Sequence, residues 1–208
     1  MPLFIMLFYG DRMICLPVSN GTGGNPTPGV AERLADWFIG LNTKISKKLK
    51  AEPYKPLDRD GLVRFFNRYL EERNGFPLGE QAARLLSGLA FGQFLPNANH
   101  RTAMMLIVLW VKANGVDFSR EPEYTSKARA YVLGSKMDVE RAYERAAQFM
   151  GEKRQSYLWE SYWPGHLRTT RRFLEGLAPV DGAIQSGIWG KTPQNHLEIL
   201  LSSTSSEA

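Results

Sequence analysis

The stretch best equipped for chemistry is Gly92 to Thr102, which reads Gly-Gln-Phe-Leu-Pro-Asn-Ala-Asn-His-Arg-Thr. Pro96, Asn97 and Asn99 favour a turn, and small Ala98 allows close backbone approach. The apolar run Ala103 to Val111 that follows predicts a helix, so the turn feeds directly into a helix N-terminus. Such a terminus offers unpaired N–H groups and a partial positive charge. Arg101 adds a fixed cation and Asn99 an amide donor. The set suits a phosphate or another oxyanion. It suits a plain helix cap equally well, with Asn97 or Asn99 capping and Arg101 paired to a surface carboxylate.

The elements that must position this loop are helical. Val30, Leu34, Trp37, Phe38, Leu41 and Ile45 fall on one stripe, followed by the basic run 44–50 and ended by Pro53 and Pro56. Asp58 or Asp60 is placed to cap a second helix carrying Leu62, Phe65, Phe66, Tyr69 and Leu70, with Asn74-Gly75 as its stop. A third helix is predicted from about Gly79, with Ala82, Leu85, Leu86 and Leu89 on its inner face. The run 103–111 has no polar residue, as expected of a helix packed on every side, and Asn114-Gly115 ends it. Val139 to Met150 and Leu167 to Leu177 predict further helices, and Leu197 to Leu201 a short last one. The fold class expected is all-α with a minor N-terminal β-hairpin.

Composition limits the field. With 208 residues and 43% hydrophobic content, one core and a single domain over 1–208 are expected, with 1–28 as hairpin plus linker and 203–208 as a tail. One cysteine, Cys15, and three scattered histidines give neither a disulfide nor a Cys/His zinc framework, which fits a cytoplasmic setting. The opening apolar run breaks at Asp11-Arg12, short of the roughly twenty residues a membrane span requires. A net charge of +5 suits anionic ligands without demanding nucleic acid, so neither nucleic acid nor membrane is an expected partner. Ser19 to Pro28 is glycine-rich but lacks the Gly-Lys-Ser/Thr of a phosphate loop. Arg168, Arg171 and Arg172, with His166 and Trp163, read as a solvated basic face or, alternatively, as a docking surface.

Gln93-Phe94-Leu95-Pro96-Asn97-Ala98-Asn99-His100-Arg101-Thr102-Ala103, followed by MMLIVLWVKANG, resembles the motif of the Fic/Doc (filamentation-induced, death-on-curing) family. The Doc-like form reads His-x-Phe-x-Asp-Ala-Asn-Lys-Arg-Thr-Ala and continues into a long apolar helix. Ala98, Asn99, Arg101, Thr102 and Ala103 match it, and Ala82-Ala83-x-Leu85-Leu86-x-x-Leu89-Ala90 is similar to the preceding helix. The similarity spans residues 57–118.

The resemblance implies a Fic/Doc-like helical bundle with ATP or another nucleotide held at Asn97, Ala98, Asn99, His100 and Arg101. The family's catalytic histidine, the general base on a target hydroxyl, falls at Gln93, which cannot take up that proton. Loss of general-base catalysis removes roughly 10²–10⁴ in rate. The family's Mg²⁺-binding acid falls at Asn97, a neutral amide with weaker pull on the metal. His100 stands where the family has lysine or glycine and could donate to a phosphate when protonated; it is poorly placed as a substitute base. Leu95 stands where an aromatic anchors the loop. The implied function is a degenerate member that keeps a phosphate loop without ordinary AMP transfer. One alternative is an active nucleotidyl- or phosphotransferase on a protein hydroxyl, and another a non-catalytic regulatory or protein-binding module. The family's inhibitory Ser/Thr-x-x-x-Glu pattern is met at Ser203 to Glu207 only in part, and the N-terminal strands are a weak candidate for its target-aligning flap.

Overall fold

The computed structural model describes residues 3–9, 12–18, 29–118, 123–177 and 189–204, with side chains from residue 29 onward as far as 202. The chain is mostly helical. Strand β1 (Leu3–Tyr9) pairs antiparallel with β2 (Arg12–Val18), from Leu3 opposite Val18 to Tyr9 opposite Arg12. Residues 1–2, the connecting residues 10–11, the glycine-rich stretch 19–28, residues 119–122 and 178–188, and the tail 205–208 lie outside the described residues.

Helix α1 (Val30–Leu49) buries Val30, Ala31, Leu34, Ala35, Phe38 and Ile45 along the expected stripe. It ends at Lys50, whose φ of 50° closes the last turn. Helix α2 (Arg59–Glu72) is capped by Asp58, whose Oδ1 accepts from the Gly61 N–H at 2.8 Å. Helix α3 (Leu78–Gly92) and α4 (Asn99–Ala113) pack together at the centre, and Leu85, Leu86, Leu106, Ile107 and Trp110 between them are fully buried. Burying a large apolar side chain stabilises by about 1.5–3 kcal/mol, so this helix pair dominates the apolar core.

The stop at Asn114-Gly115 has a definite geometry. The Val116 N–H reaches Val111 C=O and the Gly115 N–H reaches Lys112 C=O, with Gly115 at φ 85°, which is the Schellman arrangement. The Asn114 side chain then exchanges hydrogen bonds with Asn195, and the Trp110 indole donates to Asn195 C=O at 3.0 Å. The C-terminal segment is thereby fastened to the end of the central helix. It continues as a 3₁₀ helix, Leu197–Thr204, placed against α1 and α4.

Helix α5 (Tyr124–Ala146) begins well before the Val139 stripe and stops short of Met150, which is 86% exposed. Helix α6 (Gly151–Ser156) runs on through a π-helical turn, Tyr157–Tyr162, into α7 (Trp163–Glu175). The widening has a local cause. Pro164 has no N–H to give the preceding turn, and the Trp163 N–H pairs with Leu158 C=O, five residues back. The widened turn carries Trp159 and Tyr162 against Phe91 of α3 and the Val139 side of α5, making a second apolar cluster.

Candidate functional site

The loop between α3 and α4 is bracketed by two non-glycine residues in the left-handed region, Gln93 at φ 52° and Ala98 at φ 50°. Each conformation costs about 1 kcal/mol or more and persists only where the surroundings impose it. Asn99 is the main imposing group. Its Oδ1 accepts from the Leu95 N–H at 2.8 Å, while its Nδ2 donates to Leu95 C=O at 2.9 Å and to the Tyr54 hydroxyl at 3.1 Å. The amide thus stands in for a paired peptide group and holds the loop in a closed turn.

Asn97 is equally occupied. Its Oδ1 accepts from Ser46, its Nδ2 donates to Ala51 C=O at 2.9 Å, and its own carbonyl accepts from Asn42 at 3.0 Å. Asn42 also donates to Thr102 Oγ1 at 3.0 Å. These bonds stitch α1 to the start of α4. As a metal ligand, Asn97 offers one neutral oxygen already engaged by a hydroxyl, with no carboxylate beside it. Among the described residues no three His, Cys, Asp or Glu side chains gather in a metal-binding group. This donor set does not fit Mg²⁺.

A segment that sequence reasoning missed lies over the loop. Residues 51–58 form a strap: the Tyr54 N–H donates to Pro96 C=O at 3.1 Å and the Asp58 N–H to Phe94 C=O at 2.9 Å. Tyr54, 65% exposed, donates its hydroxyl proton to Gln93 Oε1 at 2.8 Å. Burial raises its phenol above the ordinary tyrosine range, with the Asn99 hydrogen bond pulling the other way. The two prolines at 53 and 56 were the available signal, since they favour an extended run able to lie along a neighbour.

Gln93 does not point a free amide into a site. Its Nε2 donates to Ala90 C=O at 2.6 Å, capping the end of its own helix, and also meets His100 Nε2 at 3.0 Å. A carbonyl only accepts, so Ala90 fixes which end of the amide is nitrogen. That choice makes His100 Nε2 an acceptor and puts the ring proton on Nδ1, facing Ser135 Oγ at 2.9 Å. Ser135 then donates to His166 Nε2 at 2.7 Å, and His166 Nδ1–H donates to Ser87 Oγ at 2.8 Å.

The result is one directed chain, Tyr54–Gln93–His100–Ser135–His166–Ser87, crossing the strap, α3, α4, α5 and α7. From Ser87 to His100 its members are buried. Burial presses His100 down to about 3, helped by the charges of His166 and Lys136, and presses His166 down to about 4 against the pull of Asp138. Both rings are neutral at neutral pH, as the chain requires.

This placement corrects two expectations. His100 faces inward with both ring nitrogens engaged and is held neutral by burial, so the protonated donor expected for a bound phosphate is not formed at neutral pH. His166 is a member of the buried chain and does not belong to a basic surface. Of the three arginines near it, Arg171 forms a two-pronged pair with Glu80, at 2.5 and 2.6 Å, which Arg84 shares.

Two groups at the loop have no partner among the described residues, the first-turn backbone of α4 and the Arg101 guanidinium. Helix α4 has no side-chain cap, and its ladder starts with the Thr102 N–H to Ala98 C=O at 2.9 Å. Its first-turn N–H groups therefore have no intrahelical acceptor. Arg101 is exposed and makes no ion pair with any described residue. Ala98, in its left-handed turn, removes side-chain bulk beside them.

The described residues thus define a helical bundle whose central loop is locked by a polar chain and whose uncapped α4 N-terminus stands beside an exposed Arg101. No family model, no curated protein and no solved structure matches the chain. No helix among the described residues is long and apolar enough to cross a membrane.

Proposed function

We propose that this chain is a degenerate Fic/Doc-like protein that holds a phosphate-bearing ligand, foremost a nucleotide such as ATP, and performs no histidine-type transfer. The observation carrying the reading is the uncapped N-terminus of α4 beside an unpaired Arg101. Backbone N–H groups and a guanidinium together bind phosphate oxygens without needing the Asn99 side chain. Asn99 and Asn97 shape the loop, and the ligand contacts fall to the amides of residues 98–101 and to Arg101.

Catalytic silence follows from the same bonds. Gln93 carries no titratable group, and its amide is committed to Ala90, Tyr54 and His100. The only imidazole nearby accepts that amide through the one nitrogen that could take a proton. The active-transferase alternative would therefore need a base other than Gln93 or His100. The module reading keeps some support, because the loop's two asparagines are spent on structure.

The test is a paired binding and transfer assay with radiolabelled ATP. The wild type is expected to retain nucleotide on a filter and to label neither itself nor added lysate protein. Arg101→Ala is expected to lower retention at least tenfold, the scale of one lost charge-assisted contact. Gln93→His with Asn97→Asp rebuilds the base and the metal acid, and is expected to gain transfer. Failure of the wild type to retain any nucleotide, with the fold intact, would leave the protein-binding module as the correct reading.

A further inference from the structure

A cavity apart from the loop lies where the buried chain reaches His166. It has a volume of about 290 Å³ and is lined by Phe91, Asp138, Arg141, Arg145, Tyr162 and His166. Arg141 and Arg145 stand one turn apart on α5 and face the same space. Tyr162, from the π-helical turn, accepts a hydrogen bond from Arg145 Nη1 at 2.9 Å, which holds that guanidinium over the opening. Phe91 and the His166 ring meet at 5.7 Å between centroids and close the cavity at depth. Asp138 is the one acid on the lining, and it touches Arg141 only at 3.9 Å.

From these residues we infer that the cleft between α5, the π-helical turn and α7 is a second anion site, taking the carboxylate or phosphate group of a small molecule. Two guanidiniums four residues apart on one helix face offer paired N–H donors to an oxyanion, and the Tyr162 hydroxyl supplies a further polar contact. The aromatic floor suits a compact organic body attached to that group, and the volume limits the ligand to a small metabolite. The loose Asp138–Arg141 contact is easily exchanged for an incoming anion.

The site also has a built-in reporter. His166 lines the cleft and, through Ser135, is hydrogen-bonded to His100 behind the loop. An anion seated on the arginines changes the field at His166 directly, and the directed chain carries the polarisation on to His100. The cleft differs from the loop in every ligand-binding residue, so the two sites fail independently.

The experiment is ¹⁵N-histidine NMR of the full chain, titrated separately with inorganic phosphate and with acetate. Saturable movement of the His166 ring resonances, followed by smaller movement of His100, is expected with at least one of the two. Which anion is held more tightly assigns the ligand group. Arg141→Ala and Arg145→Ala, both surface substitutions, are each expected to weaken binding about tenfold. Asp138→Asn is expected to tighten it, and Arg101→Ala to leave it unchanged. No saturable movement with either anion would overturn the proposal. So would movement that survives both α5 arginine substitutions and vanishes with Arg101→Ala, since the anion would then sit at the loop.

Discussion

At the scale of single residues, the polar side chains of the loop are spent on holding its own turn. Gln93, Asn97, Asn99, His100 and Arg101 were all visible in the sequence as a polar group at a helix start. The direction each side chain takes was not visible, because it depends on partners far along the chain: Asn42, Ser46 and Tyr54 on one side, Ser135 on the other. Removing the Asn99 amide leaves the buried N–H and C=O of Leu95 unpaired. Asn99→Ala should therefore destabilise by about 2–4 kcal/mol, read as a lower urea midpoint at unchanged slope. Tyr54→Phe, which loses one hydroxyl at a largely exposed position, should cost about 1 kcal/mol. If the two substitutions cost the same, the loop is not held by Asn99 in the way its bonds indicate.

At the scale of elements, the helices that frame the loop were legible because their apolar residues recur at helical spacing. The Asp58 cap, the Asn114-Gly115 stop and the all-apolar α4 all follow from local chemistry. The start of α5 was not legible, since its first turns bury little beyond Tyr131 and Ser135 and so show no stripe. Nor was the π-helical turn, which arises from Pro164 within a helix otherwise acceptable to its neighbours. The join between α2 and the last 3₁₀ helix rests on Arg73, only 5% exposed, whose guanidinium meets Glu198 at 2.6 and 2.7 Å. Burial pushes the Glu198 carboxyl up, but the two Arg73 bonds outweigh it and hold the group below its usual range. Arg73→Met strands that carboxylate and should cost about 3 kcal/mol or more. Adding Glu198→Leu should recover most of the loss; a double variant as unstable as the sum of the singles would mean that the two residues act separately.

At the scale of the whole molecule, the buried chain ties four helices and the strap into one polar unit, and its cost shows in acid. His100 and His166 have folded-state values of about 3 and about 4, below the ordinary imidazole value, so between these values and about 6.5 the unfolded chain binds more protons. Stability is full above that window and falls as the pH drops through it, by several kcal/mol for the two rings together. Glu198 and Glu80, both held low by arginine partners, add to the loss at still lower pH. Ser135→Ala leaves one nitrogen of each ring without a partner and should lower stability by about 2–4 kcal/mol at neutral pH. Urea titrations across the acid range check both points, and a stability flat between pH 4 and 7 would contradict neutral, buried rings.

The central claim concerns the uncapped N-terminus of α4, and calorimetric titration of the full chain with ATP tests it most directly, with and without Mg²⁺. The account predicts saturable binding that barely responds to the metal, because Asn97 brings no charge to it, and that Arg101→Ala abolishes while the fold stays intact. Binding that requires Mg²⁺ and survives Arg101→Ala would contradict it.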